Sequence, residues 1–574
     1  MCVVEARHDQ PAGGIDHRRS GAGEPPDLVV GADGNDAIGG DQGRGGNLPM
    51  PDDVLTRSQS TVPTGGSSQE AADAHDLAGF GYKQELKRIL GVYSSFAVAF
   101  SYIPPSTGIF TLFAPIGLAI AGPFFFWSWP LVALGQFIIA LNFAEVSSHF
   151  PVAGSVYQWT KYLSNRAYSW MTGWVYLFAG ILTVTGVIAT IPGLVLIPLL
   201  NNLGIGIENI PRNQIIIALL VLASTTLLNV FGVRLVALIN NTGVVFEILG
   251  MVVFALILLI FFHHQPASVL FDAKYLGSNN QVGVFFAAMF MSLFVIYGFD
   301  TASTLAEETK NPRVEAPKAV LGSVVGAFII GTIFLLALII AIPDMQKFVA
   351  GAGAVPAKIT SPADVLNAVL PGWMANVYLL VVLAAIYVCC LAIQTSTIRL
   401  AFGMARDGKL PLARYYNKVS PTLHTPVITC LVVGVLAALP FIYYAGAGLI
   451  AIVATGMIYL SYLLGNIAIL LARLRGWPTK GAPFKLGGWG LVVNLLGLAW
   501  GGSMLVNFLW PRPASNPSFN TILNPTGAAG GASLGGFGDS VPIFELVVVV
   551  IVVVGAVYYY LAQRGKTDQV VRAA

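Results

Sequence analysis

Phe100-Ser101-Tyr102-Ile103-Pro104-Pro105-Ser106-Thr107-Gly108-Ile109 interrupts an apolar run that extends over about residues 90–118. Two adjacent prolines remove two backbone donors and clash with the preceding turn. Gly108 lets the chain leave helical geometry at little steric cost. Backbone freed in this way cannot face lipid, and is tolerated only where it is buried in protein or lines a wet cavity. A second stretch, Val295-Ile296-Tyr297-Gly298-Phe299-Asp300-Thr301-Ala302-Ser303, sets a glycine close to a carboxylate deep inside another apolar run. Taken singly, the first reads equally as a proline kink and the second as a buried, paired carboxylate. Their positions argue for more, because they fall in the first and sixth apolar spans. That spacing is expected of two inverted five-helix repeats whose broken first helices meet at a midplane site. Such a site offers N–H groups at half-helix N-termini, suited to a carboxylate, and free carbonyls suited to a cation.

The rest of the chain is consistent with a bilayer. Of 574 residues, 55% are hydrophobic and 10% charged, whereas a soluble domain carries about a quarter charged residues. About twelve stretches reach the roughly 20 apolar residues that a membrane helix needs. They lie near 90–118, 124–147, 167–200, 213–232, 235–262, 282–305, 319–342, 375–399, 425–443, 447–472, 488–510 and 541–562. With the N-terminus in the cytoplasm, the inside segments collect 21 of the 31 Lys and Arg, the outside segments five, and the tail before Phe80 the other five. This asymmetry places both termini of a multi-pass protein in the cytoplasm, and the expected location is the plasma membrane. The net charge of +3 carries no nucleic-acid signature.

Residues 1–79 are rich in Gly, Asp, Ser and Pro and have no aromatic residue. They are predicted to form a disordered cytoplasmic tail, and they lack the features of a signal peptide. Met50 is an alternative start, in which case residues 1–49 are an over-extended reading frame. Residues 80–473 are expected to form a ten-helix inverted-repeat transport core. Residues 474–562 hold helices 11 and 12 with their loops, and 563–574 a cytoplasmic C-terminal tail. The cysteines Cys2, Cys389, Cys390 and Cys430 have no metal-ligand spacing. Cys389 and Cys390 read as small core residues. None falls in a predicted outer loop, so no disulfide-linked accessory subunit is expected.

Four segments in order carry a family resemblance: Ser106-Thr107-Gly108-Ile109; Phe143-Ala144-Glu145-Val146 with 151–157; Gly298-Phe299-Asp300 with 306–312 and 317–319; and Ser396-Thr397-Ile398-Arg399 with 405–411. Together they resemble the amino acid–polyamine–organocation superfamily. The fold implied is all-α and integral to the membrane, with about 12 transmembrane helices in a leucine-transporter-like 5+5 inverted repeat plus two C-terminal helices. Asp300, and residues 482–490 before helix 11, look most like the amino acid/choline transporter family, whose substrates include γ-aminobutyrate, choline, other amines and amino acids. Some relatives carry a His where this chain has Thr304, so no role of that His is carried over.

The resemblance implies a substrate site at the two breaks, formed by Ser101, Tyr102, Ser106, Thr107, Gly108, Ile109, Tyr297, Gly298, Phe299 and Asp300. The N–H groups after the prolines would hold a substrate carboxylate. Asp300 either pairs with a substrate amine or fixes the shape of the unwound helix, and both readings stand. Glu247 lies where several superfamily members have a Lys thought to replace a coupling cation. A Glu there suits a group that takes up and releases a proton, or else a carboxyl hydrogen-bonded across helices. Thr395, Ser396 and Thr397 offer hydroxyls to sodium, although such groups more often bond the preceding turn. Glu145, Glu307, Glu308, Arg399, Arg406 and Asp407 sit at cytoplasmic span ends. They are either solvated charges or, by resemblance, inner-gate ion pairs. No catalytic constellation, phosphate loop, metal motif or cofactor signature is present in the sequence. The expected function is secondary transport of an amino acid or related amine, such as γ-aminobutyrate, choline or a polyamine. Coupling would be to protons, to sodium or to exchange, and a nutrient receptor on the same scaffold is the competing reading.

Overall fold

The computed structural model describes residues 68–276, 281–354, 357–443, 446–479, 481–510 and 543–565, and every regular element among them is helical. Among these residues nine helical stretches are long and apolar enough to cross a bilayer, or ten when the bent pair ending at Val295 counts as one span. Two more crossings follow from local geometry. The run Val92–His149 is 58 residues long, several times the roughly 20 residues of one crossing. It breaks at Gly122, whose φ of 56° favours glycine. Val427–Ile442 is apolar but short. The twelve spans read from the sequence are thereby accounted for.

Burial sorts the spans. All eight residues of helix Pro105–Leu112 are buried, as are all six of Phe290–Val295. The fourth, fifth, ninth, eleventh and twelfth spans instead expose large apolar side chains such as Leu220, Phe246, Val435, Leu496 and Val553, as lipid-facing surfaces do. The two broken spans therefore lie at the protein's centre. The third span (Arg166–Asn202) packs on the eighth (Gly372–Arg406) and tenth (Ala447–Arg473), and the fifth (Val233–Phe261) packs on the first, seventh (Pro312–Ala341) and eighth. Asn165 caps the third span by accepting from the Tyr168 N–H at 3.0 Å.

Two expectations need correction. Ser68–Gly79, assigned to a disordered tail, is a helix. Its sequence is polar, but its ordering comes from partners elsewhere in the chain. Asp73 accepts from the Asn311 N–H at 2.9 Å at the start of the seventh span, and Asp76 pairs with Arg313 at 2.6 Å. Residues 1–67, and with them Cys2 and Met50, lie outside the described residues, as do 511–542 and 566–574. The second correction concerns Gly108. The break falls at Ile103 and Pro104, where Pro104 is extended (φ −71°, ψ 128°), and the helix restarts with Pro105 at its first position. Gly108 lies within that regular helix, so its smallness matters and its backbone freedom does not.

Candidate functional site

The two breaks face each other. The sixth span unwinds over residues 296–300 between helices Phe290–Val295 and Thr301–Thr304. Gly298 takes φ 93°, and a Cβ there would run into the Tyr102 ring. A Cβ on Gly108 would collide with Val295. Both glycines thus permit close approach of the first and sixth spans. Between them lies a cavity lined by Tyr102, Pro104, Thr107, Gly108, Val187, Phe294, Val295, Tyr297, Cys389 and Ile393. Its volume is only about 10 Å³, close to the least that holds one water, so the site is closed around its own side chains. Of the expected substrate residues, Tyr102, Thr107, Gly108 and Tyr297 line it. Ser101, Ser106, Ile109, Gly298, Phe299 and Asp300 are buried beside it without lining it.

Val187, Cys389 and Ile393 were missed as lining residues. They come from unbroken spans and read as ordinary apolar core, so only the packing reveals them. Cys389 Sγ donates to the Tyr102 carbonyl at 3.7 Å, one of the acceptors freed at the break. The Thr107 hydroxyl, 3% exposed, has no hydrogen-bonded oxygen or nitrogen partner among the described residues, with the Cys389 thiol beside it.

Asp300 is held by the protein itself. Its carboxylate accepts from Ser155 Oγ at 2.5 Å and from the hydroxyls of Tyr176 and Tyr462. Tyr462 also accepts from the Gly298 N–H at 2.8 Å. Three hydroxyl donors from the loop after the second span, the third span and the tenth satisfy a carboxylate that burial would otherwise penalise. Phe299 packs on Tyr462 and Phe143.

Glu247, 2% exposed, reaches the other break. Its carboxylate accepts from Ser106 Oγ at 2.8 Å and lies within reach of the Ser106 N–H. Gly243 and Gly250, one turn to either side, let the fifth span press on Val388 and Val381 of the eighth. The candidate sodium hydroxyls diverge. Thr395 donates to Asn229 and to the Leu391 carbonyl, both at 2.7 Å. Ser396 accepts from Thr301 at 3.4 Å, and Thr397 bonds Ile393 O at 2.9 Å. Among the described residues no group of three His, Cys, Asp or Glu is placed to hold a metal ion.

All six expected gate residues are ion-paired at the Lys- and Arg-rich end. Arg406 grips Glu307 through two bonds of 2.8 and 2.6 Å, a bidentate geometry. Arg399 pairs with Glu308 two turns deeper, with side chains only 2% and 1% exposed. Asp407 pairs with Lys161 at 2.8 Å, and Glu145 with Arg473. Lys161 and Arg473 belong to the basic residues of the inside segments. The segment before the first span seals this layer. Tyr82 donates to Asp407 at 2.8 Å and lies under the Arg406 guanidinium at 4.0 Å. Burial, with Asp407 beside it, pushes the Tyr82 phenol well above its usual range. Arg88 donates to the carbonyls of Ala306 at 3.1 Å and Thr309 at 2.6 Å.

Broken central helices, a closed cavity between them and an ion-paired layer on one side define a membrane transporter. Residues 90–530 match the family described as amino acid permease, so the chain belongs to the amino acid permease family, within the superfamily that the motifs resemble. Among its relatives is the amino-acid permease BAT1 homolog of Oryza sativa subsp. japonica, 27% identical over 487 residues, covering 79% of this chain and 90% of that protein. The amino-acid permease BAT1 of Arabidopsis thaliana is 26% identical over 503 residues, covering 83% and 94%. The branched-chain amino acid permease BcaP of Bacillus subtilis is 27% identical over 378 residues, covering 62% and 75%.

Proposed function

We propose that this permease moves amino acids across the plasma membrane by alternating access, driven by protons, with both termini cytoplasmic. The observation that carries this reading is the meeting of the two helix breaks at one closed cavity, above a layer of ion pairs. A substrate would lie between the breaks, its carboxylate toward the first turn of helix Pro105–Leu112, where N–H groups and the helix dipole favour an anion. Tyr102 and Tyr297 would present ring faces to its amine. Release toward the basic end requires Glu307–Arg406 and Glu308–Arg399 to part. Glu247, the carboxylate at the first break, is the candidate for the coupling proton. The relatives named as amino-acid and branched-chain amino acid permeases favour amino acids over choline, and a relative from Macrophomina phaseolina is named a putative amino acid/polyamine transporter.

The test is uptake into proteoliposomes of the twenty common amino acids, γ-aminobutyrate, choline and spermidine, with an imposed proton gradient, a sodium gradient or internal substrate. Accumulation of an amino acid under the proton gradient is expected. Binding without uptake in all three conditions would mean a receptor on a transporter scaffold.

A further inference from the structure

Glu247 stands where a substrate carboxylate is wanted. Pro104 and Pro105 have no N–H, and the Thr107 N–H turns back onto the Pro104 carbonyl at 3.2 Å. Ser106 therefore supplies the first outward donor of helix Pro105–Leu112, and its hydroxyl already goes to Glu247. The next residue, Thr107, lines the cavity with a buried hydroxyl that has no oxygen or nitrogen partner among the described residues. The anion-binding end of the half-helix is thus shared between a resident carboxylate and an open polar position facing the cavity. Resting on the amino acid reading above, we infer that Glu247 is a tethered stand-in for the substrate carboxylate and must take up a proton before that carboxylate can bind at Ser106.

The charge balance follows. With the site empty, one carboxylate, that of Glu247, faces the half-helix. A substrate carboxylate arriving beside an ionised Glu247 would set two like charges together in a poorly solvated space. When Glu247 takes a proton, the O–H bond neutralises it, the Ser106 donors pass to the substrate, and the site again holds one negative charge. One proton therefore enters with each substrate, and a zwitterion carries one net positive charge per cycle. Substrates without a carboxylate, such as choline, gain nothing from that proton. Neighbouring groups leave Glu247 free to act in this way. The eighth span presents Tyr378 and Cys389 to it, and the first span has Tyr93 and Tyr102 as its titratable residues. The seventh span carries its charged residues Arg313, Glu315 and Lys318 in its first two turns, at the basic end, and the fourth has only Arg212, in its first turn.

The experiment uses the purified full-length chain and the probes named above. Binding to wild type is measured from pH 5 to pH 9, with proton uptake on binding read in weak buffer by an indicator dye. For carboxylate-bearing probes the Kd should rise about tenfold per pH unit at the alkaline end, with close to one proton taken up per molecule bound. Choline, if bound, should show neither. In Glu247→Gln the pH dependence should flatten and the proton uptake vanish, while counterflow exchange persists and gradient-driven accumulation is lost. Substrate binding by wild type without proton uptake overturns the inference and leaves the amino acid reading intact. So does an unchanged pH slope in Glu247→Gln. Failure of every amino acid to bind wild type overturns the amino acid reading itself. The wild-type proton count decides the matter even if the variant does not fold.

Discussion

Gly108→Ala tests whether the two breaks must touch. A Cβ at this position would overlap the Cγ2 of Val295 and lie 3.2 Å from its Cα and Cβ. Comfortable carbon contact begins near 3.5–4.0 Å, so the two half-helices would have to separate by about 1 Å. Val295 cannot easily swing aside, because a β-branched side chain in a helix has one strongly preferred rotamer. Overpacking of this kind costs about 1–3 kcal/mol. Alanine returns up to about 1 kcal/mol as the better helix former. The net cost is about 0–3 kcal/mol, and each 1–2 kcal/mol of it that falls on the substrate-bound state lowers substrate affinity roughly 5–30-fold. Val295→Ala removes the colliding methyl groups and leaves the pair only one carbon smaller than wild type, so the double variant should recover most of the loss. The assay is a double-mutant cycle on substrate Kd, with thermal unfolding alongside, and a coupling of at least about 1 kcal/mol is expected between the two sites. Wild-type affinity in Gly108→Ala, or strictly additive effects in the pair, would refute the close-contact reading.

Asp300→Asn replaces an acceptor of three hydroxyl bonds with a group that accepts at one atom only. It should lower the unfolding temperature and cost about 1–3 kcal/mol of stability, with little separate effect on amine-bearing over amine-free probes. A selective loss of amine affinity at unchanged stability would instead make Asp300 the amine partner. Tyr462→Phe strands the Gly298 N–H and one Asp300 oxygen together, so its stability loss should be less than additive with that of Asp300→Asn. At the basic end, Glu307→Gln leaves Arg406 without its bidentate partner and should bias the molecule toward opening there. The readout is faster modification of Cys389 by a small thiol reagent, mapped by mass spectrometry, and an unchanged rate would mean that the ion pair does not hold the cavity shut.

The breaks, the twelve spans and the charges at the basic end were legible because each leaves a local mark. Prolines inside an apolar run, a carboxylate where lipid should be, and basic residues at alternate span ends are all visible one segment at a time. What escaped was set by packing between distant segments. Cys389 looks like any small core residue until the eighth span brings it against the Tyr102 carbonyl. Ser68–Gly79 has the composition of a solvated tail, and its order depends on Asn311 and Arg313, more than 230 residues away. Gly108 was visible as important, but for backbone freedom, whereas its φ is ordinary and the neighbouring Val295 imposes the constraint. The Ser155, Tyr176 and Tyr462 hydroxyls gave no signal, because nothing in their local sequence shows that they converge on Asp300.

At the end of the sixth span, cavity and ion-paired layer are joined by very little chain. Tyr297 lines the cavity, Gly298 and Asp300 hang on Tyr462, Thr301 reaches Ser396, and Glu307 and Glu308 hold the two arginines of the eighth span. The intervening helix, Thr301–Thr304, is a single turn, too short to absorb a rotation by bending. On the proposed reading, a shift of Tyr297 on substrate entry would have to be taken up at the Asp300 cage or passed to the ion pairs. The cage binds this segment to the third and tenth spans, which are not broken at the site. On the transport reading proposed above, Asp300 would decide whether movement at the cavity reaches the ion pairs, a role that calls for a carboxylate at that depth without requiring it to touch the substrate.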